Sequence, residues 1–267
     1  GNWGSSAKGH ADNFGIYTNL GYKFDENLIF SSHLRADSHK YSQENLTYRL
    51  NISKTINKFN ASLSESTGLR HPDLYVLHGN NPSGSFKSMN TTKPEKSLTR
   101  DVSLQYNFSD TLSFETTAYK GSISDVLNRG TSTYGYNELI DIKQEGIENS
   151  IIFKNDNERI TLFNTFSKSR EGSGRPQLRR PEKQFGINIS KDYNTNFFGS
   201  FNTKIDYRHI GKTEDWKGGS ARAKVDSSDI INLNLSKNFS GKVWSVNILN
   251  LTDENYERPD TYNQEGR

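Results

Sequence analysis

Hydrophobic and polar residues alternate along most of the chain. Between residues 14 and 24, one set of alternate positions is apolar or aromatic apart from Thr18, and the set between them is glycine, tyrosine or polar. The same period of two recurs at 28–37, 46–53, 101–108, 112–118, 231–236 and 244–248. A period of two is typical of a β-strand whose two faces meet different surroundings. The pattern therefore predicts an all-β chain in which one face of the sheet is apolar and the other polar.

The connections between these strands alternate in length. Tight polar turns are predicted at 25–26, 55–58, 109–110, 155–158, 194–196 and 240–241. Long polar connections are predicted at 38–44, 70–96, 123–137, 170–182, 211–227 and 252–267. In an antiparallel sheet this order places every short turn at one end and every long loop at the other. We therefore predict an antiparallel meander of about twelve strands with essentially no helix.

A transmembrane β-barrel explains this sorting of connections better than a soluble β-fold does. Tilted strands of about 9–11 residues cross a bilayer, and outer-membrane barrels have short turns on one side and long loops on the other. A soluble β-sandwich also alternates, but it has no reason to sort its connections by length, and loops of about 25 residues are uncommon in it. A β-solenoid would show a fixed short repeat, and the chain has none. The pattern favours the barrel, with the sandwich as the alternative.

Composition and motifs narrow the possible functions. Hydrophobic residues make up 31% of the chain, yet 12% of residues are aromatic and the net charge is only +3, which argues against disorder. Nearly balanced charges, 34 basic against 31 acidic residues, disfavour nucleic-acid binding. The chain has no Cys, hence no disulfide or thiolate metal site. The common hydrolase, nucleotide-binding and zinc-protease motifs are absent, so we expect no enzyme, with an outer-membrane hydrolase as a remote alternative.

Several short motifs suggest a specific family. Gly68–Tyr75 ends one strand and begins the longest loop, and Pro94–Ser97 begins the next strand. Gln144–Glu148 and Asn250–Tyr256 follow in order. In this order and spacing, the motifs resemble the C-terminal half of the barrel of TonB-dependent outer-membrane receptors. Within that family, Leu178-Arg179-Arg180-Pro181 and the tail that ends Tyr262-Asn263-Gln264-Glu265-Gly266-Arg267 look most like the cobalamin (vitamin B12) transporters, and ferric-siderophore receptors share much of the pattern.

The resemblance implies a fold, a location and partners. Such receptors have about 22 strands around an N-terminal plug, so residues 1–267 would be the C-terminal portion of a barrel, without the plug and the last strand. The location would be the outer membrane of a Gram-negative bacterium. The function would be active uptake of a large, scarce nutrient, with cobalamin favoured and a ferric siderophore next. The partners would be TonB, the protein's own plug, outer-membrane lipid, lipopolysaccharide and the nutrient, with no cofactor. A passive porin or a structural barrel is the alternative from another class.

Two sets of residues are candidates for function. Loop aromatics offer rigid apolar area to a large ligand, and loop guanidinium groups suit an anionic one, which selects Arg70, Tyr75, Tyr134, Tyr136, Arg179, Trp216 and Tyr262. On the polar face, we expect a lumen lining, or simply a hydrated wall, formed by His33, Arg35, Asp37, Arg49, Asp101 and Glu115. Trp244 is expected in the aromatic belt at the membrane interface. His71, His78 and Asp73 are close in sequence, but they lack zinc or calcium ligand spacing, so we expect no metal site.

Overall fold

The computed structural model describes residues 10–72, 93–129, 136–196, 199–217 and 221–257, and these contain strands and turns but no helix. The strands are β1 (Asn13–Lys23), β2 (Leu28–His39), β3 (Gln43–Ile56), β4 (Phe59–Arg70), β5 (Glu95–Asn107), β6 (Leu112–Arg129), β7 (Tyr136–Lys154), β8 (Glu158–Glu171), β9 (Lys183–Thr195), β10 (Gly199–Ile210), β11 (Thr213–Lys217), β12 (Ala221–Val225), β13 (Ser228–Phe239) and β14 (Lys242–Ile248).

Twelve of these strands form one antiparallel sheet in the order β1-β2-β3-β4-β5-β6-β7-β8-β9-β10-β13-β14. Each strand therefore pairs with its neighbour in sequence, except where the separate β11–β12 hairpin lies between β10 and β13. The prediction of an all-β antiparallel meander of about twelve strands is confirmed.

The register keeps apolar side chains on one face across many strands. For example, Leu63 pairs with Val102, Val102 with Ala118, Ala118 with Ile147, and Ile147 with Phe166. Side chains on this apolar face are widely exposed; Phe14 is 72% exposed. Among the described residues, the buried hydrophobic side chains are only Ile142 and Val225. Within the described ranges, no second layer packs on the apolar face, which excludes the β-sandwich because a sandwich buries that face.

The short turns lie where the sequence predicts them, and polar side chains close several of them. The Asp25 carboxylate accepts hydrogen bonds from the backbone N–H groups of Asn27 and Leu28, both at 2.7 Å. Asn155 accepts two equivalent bonds in the β7–β8 turn, and the Ser109 hydroxyl does so in the β5–β6 turn. These side chains satisfy backbone donors that the ladder leaves unpaired at the end of a hairpin.

The opposite end of the sheet, called here the long-loop end, differs from the prediction in three places. The predicted long connection 38–44 is wrong: β2 and β3 pair as far as His39 and Gln43, leaving a three-residue turn. Gln43, the first residue of β3 after this turn, adopts a φ of 59°. The predicted loop 123–137 is largely strand, because a register shift after Ile123 lets β6 and β7 continue pairing. The predicted loop 211–227 contains the β11–β12 hairpin. Local polarity does not reveal these strands, because polar residues can still complete a hydrogen-bonded ladder.

Aromatic residues collect on the apolar face at the short-turn end. Tyr22 and Phe24 pack edge to face, as do Tyr106 and Phe108, while Tyr193 and Phe201 stack. Trp244, on the same face near its turn, is 66% exposed. This placement agrees with the expected aromatic belt at a membrane interface.

Candidate functional site

The six predicted lumen residues all lie on the polar face of the sheet. His33 pairs in register with Arg49, Ser64 with Asp101, and Gln105 with Glu115, which places each of them opposite a polar-face residue of the next strand. The strand register therefore puts all six residues on the same face of the sheet. A contact with plug or substrate stays a prediction for each of them.

Several of these polar-face residues already have partners within the sheet. The Arg35 guanidinium holds the buried Asp37 carboxylate through two bonds, Nε to Oδ2 at 2.8 Å and NH2 to Oδ1 at 2.7 Å. The Ser64 hydroxyl donates to Asp101, and His33 contacts the Asn19 side-chain oxygen. These bonds orient the side chains on the polar face and reduce the number of polar groups that are free to bind a ligand.

Two histidines stack at the long-loop end of β2. The rings of His39 and His71 lie 4.2 Å apart and nearly parallel. The Ser42 hydroxyl lies between them, 3.0 Å from His39 Nδ1 and 2.5 Å from His71 Nδ1. Burial and then the His39 imidazole lower the pKa of His71 below its ordinary value, while the Asp37 carboxylate opposes this shift. The cluster fixes the chain just beyond β4, where the longest loop begins.

A second cluster joins two long loops, the β8–β9 connection and the β11–β12 hairpin. We call it the long-loop cluster, and it consists of Glu171, Pro176, Arg179, Asp215, Trp216 and Arg222. Arg179 Nε donates to the buried Asp215 Oδ1 at 2.8 Å, and the Arg179 backbone N–H donates to the Glu214 carbonyl at 2.8 Å. These bonds hold the hairpin against the loop that follows β8.

Arg222 connects the largest number of partners in this cluster. Its guanidinium donates to the Pro176 carbonyl at 2.6 Å and to the buried Glu171 carboxylate at 2.5 Å, and it pairs with Glu214 at 3.4 Å. It also lies over the Trp216 ring, 5.7 Å from the centroid. The side chain of Arg222 is only 15% exposed, so its charge is compensated mainly by these contacts. The cluster is a pre-ordered polar surface around a half-buried tryptophan.

The structure brings together only some of the predicted substrate-binding residues. Arg179 and Trp216 meet in the long-loop cluster, where the Arg179 head group is engaged by Asp215. Arg70 lies on β4, remains 72% exposed and approaches Glu95 at 3.5 Å. Tyr136 is the first residue of β7, and its side chain is outside the described part of the chain. Tyr75, Tyr134 and Tyr262 lie outside the described residues, as do Asp73 and His78.

Sequence reasoning missed the partners that organise this region. Glu171 is 51 residues from Arg222, and neither these two residues nor Asp215 carries a motif, so only folding brings Glu171 to the other two. His39 was missed for the same reason, since its relation to His71 depends on the β2–β3 turn. Burial of charge in a loop is the signal that would have found them, and burial is not visible in one sequence.

Two features are absent from the described residues. No group of three or more His, Cys, Asp and Glu side chains there is arranged to hold a metal ion. Among the same residues, no helix is long and apolar enough to cross a membrane.

The family model "TonB dependent receptor-like, beta-barrel" matches residues 4–251. The chain belongs to this family. The proteins of this family lie in the outer membrane of Gram-negative bacteria, so the apolar face of the sheet contacts lipid, as its exposure requires. No match was found among curated protein sequences.

Solved structures share the fold at low sequence identity. The siderophore receptor PirA from Acinetobacter baumannii is 17% identical, with a TM-score of 0.75, over 98% of this chain and 46% of that one. The FrpB iron transporter from Neisseria meningitidis is 15% identical, with a TM-score of 0.71, over 96% of this chain and 44% of the transporter. The ferripyoverdine receptor of the outer membrane of Pseudomonas aeruginosa is 14% identical, with a TM-score of 0.69, over 92% of this chain and 35% of the receptor. The chain therefore spans less than half of each of these proteins, and none of the three is described as a cobalamin transporter.

Proposed function

We propose that the chain is the C-terminal portion of the barrel of an uptake receptor that brings a ferric siderophore or a related metal chelate across the outer membrane, driven through TonB. The observation that carries this proposal is the family match over residues 4–251 together with a twelve-stranded sheet of the same fold as known receptors. The proposal includes a plug domain inside the complete barrel, since a barrel without a gate would not need energy from TonB.

The edges of the sheet support a larger barrel. Within the described residues, β1 pairs only with β2, and β14 pairs only with β13. An unpaired strand edge in lipid leaves backbone N–H and C=O groups without partners, at a cost of several kcal/mol for each group. We infer that further strands pair with β1 and β14 in the full-length protein, consistent with about 22 strands in the complete barrel.

The loop charges favour an anionic ligand over a neutral one. Arg70 and Arg175 are 72% and 59% exposed at the long-loop end, and Arg180 is also exposed. Exposed guanidinium groups suit the carboxylate, catecholate or phosphate groups of an anionic chelate. Cobalamin is the second candidate, and it is supported by the likeness of Leu178–Pro181 and of the tail after Asn250 to cobalamin transporters.

Ligand binding by the full-length protein tests the choice of substrate. We expect submicromolar binding of at least one ferric chelate and no binding of cyanocobalamin, measured by quenching of tryptophan fluorescence in detergent. Replacing Arg70, Arg175 and Arg180 by Gln should weaken binding of the chelate, whereas Lys23→Gln at the short-turn end should not. If the protein binds cyanocobalamin and binds none of the ferric chelates, cobalamin becomes the favoured substrate.

Transport measurements test the proposed class of protein. A gated receptor should take up radiolabelled ferric chelate only in cells with TonB and a proton gradient, and it should not conduct ions in a planar bilayer. Constitutive ion conductance would instead identify a passive porin. Uptake that persists without TonB would contradict the energised mechanism even if the chelate binds.

A further inference from the structure

Three polar side chains lie side by side on the lipid-facing side of the sheet. They are Thr116 on β6, Asn149 on β7 and Asn164 on β8, and we call them the polar row. The register assigns their face, because Thr116 pairs with Asn149 and Asn149 pairs with Asn164. Asn149 is two residues from Ile147, which belongs to the apolar face. Neighbouring strands are about 4.8 Å apart, so the polar row extends over about 10 Å.

The polar row lies within the apolar face and not at its margin. Along β6, β7 and β8, the same-face residues before and after it are Phe114, Ala118, Ile147, Ile151, Leu162 and Phe166. Across the sheet, Leu104 on β5 pairs with Thr116, and Phe185 on β9 pairs with Asn164. The polar row is therefore surrounded on every side by apolar residues, at a depth where the barrel wall meets hydrocarbon.

Hydrogen bonds connect the three side chains but leave donors unused. The Thr116 hydroxyl donates to Asn149 Oδ1 at 2.7 Å, and Asn149 Nδ2 donates to Asn164 Oδ1 at 2.9 Å. The Asn164 Nδ2 atom carries two N–H groups and donates to no residue in the described part of the chain. Because hydrocarbon offers no acceptor, an unused amide donor at this depth is costly.

Asparagines on the other strands avoid the lipid-facing side. On the described β1, β3, β4, β5, β9, β10, β13 and β14, every asparagine of the main sheet lies on the polar face, as Asn51, Asn188 and Asn232 do. The two asparagines of the polar row are instead next to each other on the opposite face. Polar side chains at membrane depth are expensive, so their concentration at one place indicates a localised polar contact.

The surroundings of the polar row suit a protein partner. Ile151, Leu162, Phe166 and Phe185 are all exposed on the lipid-facing side, so a second protein surface can pack against them. The polar groups between them can then bond to polar groups of that surface. Interfaces between proteins inside a membrane use this combination, in which close packing is joined by a few hydrogen bonds between side chains.

We propose that the polar row is the centre of an interface between two copies of this protein in the plane of the membrane. A side-chain amide is both donor and acceptor, so it complements a second amide of the same kind. Two copies inserted in the same direction present their polar rows at the same depth, and a two-fold axis along the membrane normal places one row against the other. This inference goes beyond the uptake function and does not depend on which nutrient the receptor carries.

Dimerisation of the full-length protein in lipid vesicles tests the proposal. We would label the protein with donor or acceptor dyes and measure energy transfer as the protein-to-lipid ratio rises. We expect the parent to form dimers, and the variant T116V/N149L/N164L to dimerise about tenfold more weakly because it loses the hydrogen bonds between the copies. The control is Thr203→Val, which removes a lipid-facing hydroxyl on β10 away from the polar row and should dimerise like the parent.

Cross-linking in the outer membrane of cells locates the interface. In a full-length protein without other thiols, Leu162→Cys places a thiol beside Asn164, whereas Leu63→Cys places one on the same face of β4. A short bis-maleimide should link two copies through position 162 and should not link them through position 63. Adding T116V/N149L/N164L to Leu162→Cys should reduce the amount of linked dimer.

Several outcomes would overturn the proposal. These are a parent that stays monomeric at every protein-to-lipid ratio, equal dimerisation of parent and triple variant, and equal cross-linking at positions 162 and 63. A cross-link from position 162 only to a different protein would replace the second copy by that protein. A triple variant with a less stable barrel but unchanged dimerisation would show that the polar row serves only to hold β6, β7 and β8 together. If the triple variant does not fold, as judged by heat-dependent migration on gels, Asn164→Leu alone serves instead, with a smaller expected loss.

Discussion

At the scale of single residues, the long-loop cluster depends on the guanidinium of Arg222. It compensates Glu171, whose side chain is only 8% exposed, and it bonds to the Pro176 carbonyl on the other loop. Removing one partner of a buried pair is costly because the remaining charge stays without compensation, typically at about 3–5 kcal/mol.

We therefore predict that Arg222→Met releases the β11–β12 hairpin from the β8–β9 loop. Hydrogen exchange should become faster in residues 171–182 and 213–225 while the sheet stays protected. Arg175→Met is the control, because Arg175 is 59% exposed and 3.9 Å from the same Glu171 carboxylate, a contact that contributes at most about 1 kcal/mol. Equal exchange in both variants would show that Arg222 does not hold the loops together.

The stacked histidines predict a pH dependence at the start of the longest loop. The pKa of His71 lies below the ordinary value of 6.5, so the folded protein binds fewer protons there than the unfolded chain does. The stabilisation from the stack is therefore complete above about pH 6.5 and is lost as the pH falls through the folded-state pKa of His71.

Hydrogen exchange of residues 66–72 between pH 7.5 and pH 5 measures this effect, after correction for the intrinsic exchange rate. We expect protection to fall on acidification in the parent and to fall less in His71→Phe, which keeps an aromatic ring but has no group to protonate. His39 remains in that variant, so a residual dependence is expected. The same dependence in both proteins would exclude His71 as its source.

At the scale of elements, two glycines on the polar face allow an aromatic side chain to lie against the neighbouring strand. Tyr119 on β6 covers Gly146 on β7, and Phe163 on β8 covers Gly186 on β9. A methyl group added at Gly186 would overlap the Tyr207 carbonyl oxygen and lie 2.7 Å from Phe163 Cζ. The backbone of β10 cannot move away without disturbing its ladder with β9.

We predict that Gly186→Ala destabilises the barrel by about 1–3 kcal/mol, the usual cost of overpacking. The measurement is urea-induced unfolding in lipid vesicles, followed by tryptophan fluorescence. Gly68→Ala is the matched control, because its new methyl group would meet chiefly the Ser97 hydroxyl, at 2.5 Å, which can rotate away. A smaller effect at Gly186 than at Gly68 would contradict this explanation.

At the scale of the whole molecule, the sorted connections predict the orientation in the membrane. The short turns at Asp110 and Asp156 should face the periplasm, and the long loops should face outside the cell, as is general for outer-membrane barrels. Lys212 lies in a long connection, where it is 68% exposed and paired with Asp226 at 3.0 Å.

Because the chain contains no Cys, single cysteines introduced into it can report its orientation. In a full-length protein without other thiols, a Cys at position 212 should react with a membrane-impermeant maleimide on intact cells. A Cys at position 110 or 156 should react only after the outer membrane is permeabilised. The reverse pattern would invert the orientation.

Most strands of the main sheet, their antiparallel order and the chemistry of each face can be predicted from the sequence alone. Residues such as Phe14, Ile16 and Leu20 alternate with polar ones, and this period survives because each strand meets lipid on one side and polar groups on the other. The turn residues Asp25, Ser109 and Asn155 were equally visible, since each satisfies backbone groups only two or three positions away. These features are local, so one sequence contains them.

Which distant side chains meet is specified by the folded sheet and not by the local pattern. The β2–β3 turn, the β11–β12 hairpin and the contacts of Arg179 and Arg222 with buried carboxylates depend on backbone pairing and burial, which polarity along the chain does not report. A period of two specifies the face of a residue, whereas its neighbours on that face are specified by register, and register is a property of the assembled sheet.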